Sequence, residues 1–183
     1  MPPHYGLSMT RYAALLRGIN VGGINIKMAD LRSTFAELGF ENVKTVLASG
    51  NVLFDADRDD VPALKSEIES ALRADFHYEA WVFVLDLDTI RKIVDDYPFD
   101  PEREGWHPYV LVTPDPEVLD SLLRIRDDLD PEVERIQAGA GVLYWEVERG
   151  MTLKSTFGKS TGSAKLKAST TTRNLRTLVK LLK

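Results

Sequence analysis

The chain has 183 residues, of which 44% are hydrophobic and 28% charged, with a formal net charge of -5 and no cysteine. That length suits one large domain or two small ones, and the composition is ordinary for a globular protein. Without cysteine there is no disulfide, thiolate nucleophile or thiolate metal site, and no run approaches the ~18 apolar residues of a membrane-spanning helix.

Residues 1–8 have neither the basic start nor the apolar core of a secretory signal. They read as a disordered leader before Met9, and a cytoplasmic location is expected. The charge is unevenly spread. Nine of the 23 basic residues fall between Arg149 and Lys183, a stretch without Asp or Glu, so residues 1–148 carry 14 basic and all 28 acidic groups. The simplest expectation is a basic tail lying on an acidic body with its charges paired internally; the competing one is an external anionic partner.

Tyr12 to Leu16 runs apolar like a central strand. Arg17-Gly18-Ile19-Asn20-Val21-Gly22-Gly23-Ile24-Asn25 follows, and then Met28, Leu31, Phe35 and Leu38 at helical spacing, with Asn25 as N-cap and Gly39 as stop. Val43 to Ala48 and Val52 to Asp55 form strands about the turn Ser49-Gly50-Asn51. Asp60 caps a helix with the inner stripe Leu64, Ile68 and Leu72, in which Pro62 is tolerated in the first turn. Ala80 to Leu85 closes a βαββαβ unit.

Asp88 opens a helix with Ile90, Ile93 and Val94 inward. Tyr97 to Pro108, with three prolines and a glycine, reads as a linker. The pattern then repeats: a strand from Tyr109 to Val112, a helix from Asp115 and Pro116, and a hairpin of Val133–Gln137 and Val142–Val147. A basic segment from Lys154 to Thr170 follows. Thr172 caps a final helix with Leu175, Leu178, Val179 and Leu182 on one face. No closing strand is evident. The expected fold is α+β: two ferredoxin-like (βαββαβ-type) subdomains, 9–97 and 98–183, the second incomplete. Both sheets would be mostly antiparallel, with helices on one face.

This topology predicts where a site would lie. In a βαββαβ unit the loop after the first strand and the turn between the second and third share one end of the sheet. Arg17 to Gly23 and Ser49 to Asn51 should therefore be neighbours. The equivalent loops of the second half, Thr113-Pro114-Asp115 and Ala138 to Gly141, carry no Arg, Asn or Lys. Glycines allow close backbone approach, arginine offers paired donors, and a helix N-terminus attracts an anion. The expected ligand-binding set is Arg17, Gly18, Asn20, Gly22, Gly23, Asn25, Ser49 and Asn51, joined by Arg173 and Asn174 if the terminal helix docks there.

Known phosphate loops do not match. Asn20 breaks the dinucleotide pattern and Ile24 stands where a P-loop needs Lys. Phe157-Gly158-Lys159-Ser160-Thr161 has Leu153 where a P-loop needs Gly. His4, His77 and His107 lack metal-ligand spacing, so no metal is expected. No cofactor is indicated and no nucleophile–base pair is visible.

Leu16 to Gly23 with Asn25, Met28 and Leu31, then Ser49-Gly50-Asn51-Val52 and Phe54, then Thr172-Arg173-Asn174, resemble the bacterial family known as domain of unknown function 1697. The resemblance runs over nearly the whole chain from Met9 and implies two ferredoxin-like subdomains. It implies no activity, cofactor or catalytic residue. Leu175 departs from it, since relatives often carry Trp there. The leading functional expectation is a site for a small anionic, phosphate- or nucleotide-like ligand. The alternatives are a protein-interaction module using the sheet edge of the incomplete second unit, and nucleic-acid binding through the basic tail, which an acidic body and few aromatics disfavour. No membrane partner is expected.

Overall fold

The computed structural model describes residues 9–18, 25–47 and 50–183. The expected leader, 1–8, lies outside them. The chain divides into two compact units, Met1–Thr89 and Ile90–Lys183. Each unit builds a four-stranded antiparallel sheet. No helix among the described residues is long and apolar enough to cross a membrane.

The first unit runs β1 (Thr10–Arg17), α1 (Met28–Glu37), β2 (Glu41–Val46), β3 (Asn51–Ala56), α2 (Val61–Phe76) and β4 (Trp81–Asp86). Its strands lie in the order β2-β3-β1-β4, the ferredoxin-like arrangement. Alternation along β1 sends Tyr12, Ala14 and Leu16 to one face. There they pack with Leu31 and Phe35 of α1 and with Leu64, Ile68 and Leu72 of α2. Burial of each large apolar side chain contributes about 1.5–3 kcal/mol. This shared core, more than helix propensity, holds α1 and α2 to the sheet. Asp60 caps α2 by accepting from Ala63 N–H at 3.2 Å. The cap of α1 differs from expectation: it is Lys27, not Asn25, and its side chain makes no capping hydrogen bond. Lysine has no acceptor to offer, so the N-cap residue of α1 does not give its first N–H groups the side-chain acceptor that a cap usually supplies.

The outer edge of β4 is covered by side chains. Glu69 accepts from Val82 N–H at 3.0 Å, Lys65 Nζ donates to the Val82 carbonyl at 2.7 Å, and Arg73 donates to the Ala80 carbonyl at 2.9 Å. Three residues of α2 thus occupy main-chain groups that would otherwise template another strand.

From α3 (Leu87–Asp95) the chain enters the second unit. There follow β5 (Trp106–Val112), α4 (Pro116–Leu123), β6 (Glu134–Ala138), β7 (Val142–Glu148), α5 (Thr156–Thr161), β8 (Thr171–Asn174) and α6 (Leu175–Leu181). The order β6-β7-β5-β8 repeats that of the first sheet. This unit is therefore more complete than its sequence suggests. Thr171–Asn174 is a closing strand, pairing Thr171 with Val112 and Arg173 with Val110. Four polar residues show no apolar alternation, and only the β-branched threonines hint at a strand. The helix start shifts accordingly. Asn174, not Thr172, caps α6 by accepting from Arg176 N–H at 2.9 Å. The edge of β5 proposed for a partner strand is filled by β8. β5 itself begins at Trp106, inside the expected linker. Pro108 is tolerated because β8 pairs only with Tyr109 to Val112, leaving Pro108 with a single strand neighbour.

Candidate functional site

At one end of the first sheet, Leu15 stands opposite Asn51 and Arg17 opposite Trp81. Leu16 N–H donates to the Gly50 carbonyl at 2.8 Å. The stems of the two polar loops therefore meet, as the topology requires. Asn20, Gly22, Gly23 and Ser49 lie outside the described residues. Gly18 is exposed with φ +84° and nothing within 4 Å of where a Cβ would stand, so conformation rather than space demands glycine there. Arg17 is half-buried, and burial pushes its guanidinium below the ordinary arginine pKa. A cation that has lost part of its hydration gains most from a close anion. Asn25 is exposed just ahead of α1.

Asn51, Arg173 and Asn174 have structural work. Asn51 is fully buried, and its amide donates to the Val46 carbonyl at 3.0 Å, tying β2 to β3 behind the turn. Arg173 lies on β8, not on the terminal helix. It is buried, and its Nη1 donates to Thr171 Oγ1 at 2.7 Å and to the Thr172 carbonyl at 3.1 Å. Asn174 spends its side-chain oxygen on the α6 cap.

The basic tail behaves differently from the simple expectation. Among the described residues, Arg149, Lys154, Lys159, Lys165, Lys167, Arg176, Lys180 and Lys183 enter no ion pair, and all are exposed. Water already solvates such charges well, so pairing them gains little. Apolar burial anchors the segment instead, through Phe157, Leu175, Leu178 and Leu181. The glycine of Phe157-Gly158-Lys159 also has a packing reason. A Cβ at Gly158 would stand 1.8 Å from the Thr152 carbonyl oxygen.

Sequence reasoning missed two buried carboxylates of the second unit. Glu134 accepts from the Trp145 indole at 3.0 Å and from Phe157 N–H at 3.2 Å. Glu146 accepts from Arg135 at 3.1 Å and also from Arg103, whose guanidinium lies 3.6 Å above the Trp106 ring. Only Glu146 carried a signal, an acidic residue set within the apolar strand Val142–Glu148. Among the described residues, no group of three metal-ligating side chains is placed to hold an ion.

Two ferredoxin-like units in tandem define the class as a tandem ferredoxin-like α+β protein. The chain belongs to the family described as protein of unknown function (DUF1697), whose model matches residues 9–144. Among solved structures it is similar to the conserved bacterial protein SP0830 from Streptococcus pneumoniae, with 24% identity, 96% of this chain and 100% of that chain covered, and a TM-score of 0.78. That likeness shows the fold. An unknown protein from Galdieria sulphuraria aligns at 10% identity over 91% of this chain and 98% of that one, with a TM-score of 0.29, too low to indicate a shared fold. No curated protein matches the chain in sequence.

Proposed function

We propose that the protein binds a small anionic ligand, phosphate- or nucleotide-like, at the Arg17 end of the first sheet. The supporting observation is a contrast at equivalent positions. After β5 the chain reaches α4 through residues 113–115, and Asp115 caps the helix by accepting from Glu117 N–H at 2.9 Å. After β1 it takes residues 18–27 to reach α1, sets the half-buried Arg17 at the strand end, and places at the N-cap a lysine that makes no capping hydrogen bond. An anion there would take paired donors from Arg17 and N–H groups from the start of α1. Gly18, Gly22 and Gly23 would add backbone donors, and Asn20, Asn25 and Ser49 would add side-chain ones.

A melting scan of wild type and Arg17→Ala against phosphate, sulfate and nucleotides tests this reading. Arg17→Ala will shift the melting temperature of the unliganded protein by whatever its own contacts contribute, so the comparison is of the further rise that each anion adds. The substitution should abolish the anion-dependent rise in melting temperature expected from linkage. No rise in the wild type, or an equal rise in both, would mean the loop is only a turn.

A further inference from the structure

The second unit contains a cleft of about 470 Å³ between the end of α3, with the segment after it, and α6. Arg176, Lys180 and Lys183 line one wall at helical spacing, and Asp95 and Glu102 line the other. Opposite charges thus share one cleft, yet none of the five forms an ion pair among the described residues. Val94 and Val179 give the cleft an apolar surface.

Both walls are anchored. The Tyr144 hydroxyl donates to the Ile93 carbonyl at 2.9 Å, and the Tyr97 hydroxyl donates to the Trp145 carbonyl at 3.4 Å. The rings of Tyr97 and Tyr144 meet edge to face with centroids 5.6 Å apart. Across the cleft, α6 is fixed by its buried Leu175, Leu178 and Leu181. The backbone on each side is therefore held by contacts that do not involve the five charges.

We infer that this cleft binds a small ligand carrying both an ammonium and a carboxylate on a short apolar body, either a free apolar amino acid or a dipeptide. The ammonium sits against Asp95 and Glu102, the carboxylate against Arg176, Lys180 and Lys183, and the apolar side chain against Val94 and Val179. Such a ligand satisfies both walls at once, which a simple anion or cation does not. Cations outnumber carboxylates by three to two, so the ligand's carboxylate is the stronger handle.

The test is calorimetric titration of the full chain with leucine, leucyl-leucine, N-acetyl-leucine and leucinamide. The zwitterions should bind. Each capped analogue should bind more weakly by up to about five-fold, the loss of one exposed charge pair, with leucinamide the weaker of the two. Leucine tighter than leucyl-leucine would assign a free amino acid, and the reverse order a dipeptide. Glu102→Gln and Lys180→Gln alter only exposed side chains and should each weaken binding. No binding of either zwitterion, equal binding of all four compounds, or binding indifferent to both cleft substitutions would overturn the inference.

Discussion

The two units share a fold and one hydrogen bond in particular. In the first, Leu16 N–H reaches the Gly50 carbonyl at 2.8 Å; in the second, Thr113 N–H reaches the Gly141 carbonyl at 3.1 Å. Both glycines take a left-handed backbone, with φ +84° and +70°. In each unit the bond lies one residue beyond the last paired positions, Leu15 with Asn51 and Val112 with Val142. The turn glycine is thus part of the architecture, common to both sheets, and says nothing about a ligand. What differs is the strand exit: Arg17-Gly18 and a longer path to a helix with lysine at its N-cap in one unit, Pro114-Asp115 and an immediate cap in the other. Features common to both units belong to the fold, and those found in one alone are the place to look for function.

The largest expected effect tests that division in the core. The second strand of each unit opens on a glutamate, exposed at Glu41 and buried at Glu134. Glu134→Ala strands the Trp145 indole and the Phe157 amide, two buried donors at about 1–3 kcal/mol each, so a loss of about 3 kcal/mol is expected in denaturant unfolding. Glu41→Ala should stay within about 0.5 kcal/mol. Similar costs would erase the contrast.

Next come the turn glycines. Gly50→Ala and Gly141→Ala both force a side chain into the left-handed region, at about 1–2 kcal/mol. If the two turns are equivalent, the costs measured by thermal unfolding should match. A far larger loss at one site would mean that its glycine does more than turn the chain.

The smallest effect is pH-dependent. The third strand of each unit holds a carboxylate against an arginine from a neighbouring strand, Asp55 with Arg11 and Glu146 with Arg135. Burial of Asp55 works against its charge, but the Asn42 amide and the Arg11 guanidinium outweigh it, so its pKa lies below the usual aspartate range. A depressed carboxylate pKa stabilises the folded state above the unfolded value, about 3.9 for aspartate. That contribution is lost as pH falls through the folded value. Melting temperatures of wild type should therefore fall further below about pH 4 than those of Asp55→Asn. Parallel curves would remove Asp55 from the acid response.

Much of this architecture is legible in the sequence because apolar period decides it. Leu64, Ile68 and Leu72 repeat at helical spacing, and all are fully buried on the sheet. The meeting of the two loop stems follows from topology once the strand order is recognised. The closing strand β8 does not announce itself, because its four residues are polar and its register comes from β5. The buried Glu134 is equally silent, since its donors, Trp145 and Phe157, are 11 and 23 residues away. The place of Arg17 at a strand end, with a glycine after it, could be read from the sequence. The structural duties of Asn51 and Arg173 could not, because they depend on carbonyls and hydroxyls that only the folded sheet brings near.

The most direct measurement is an amide NMR titration of the full chain with inorganic phosphate, following the two strand exits together. If the first unit alone holds an anion site, shifts should concentrate at Gly18 and at residues 25–31 entering α1, and be absent at residues 113–117 entering α4. Arg17→Ala should suppress them. Equal shifts at both exits, or none at the first, would contradict the account.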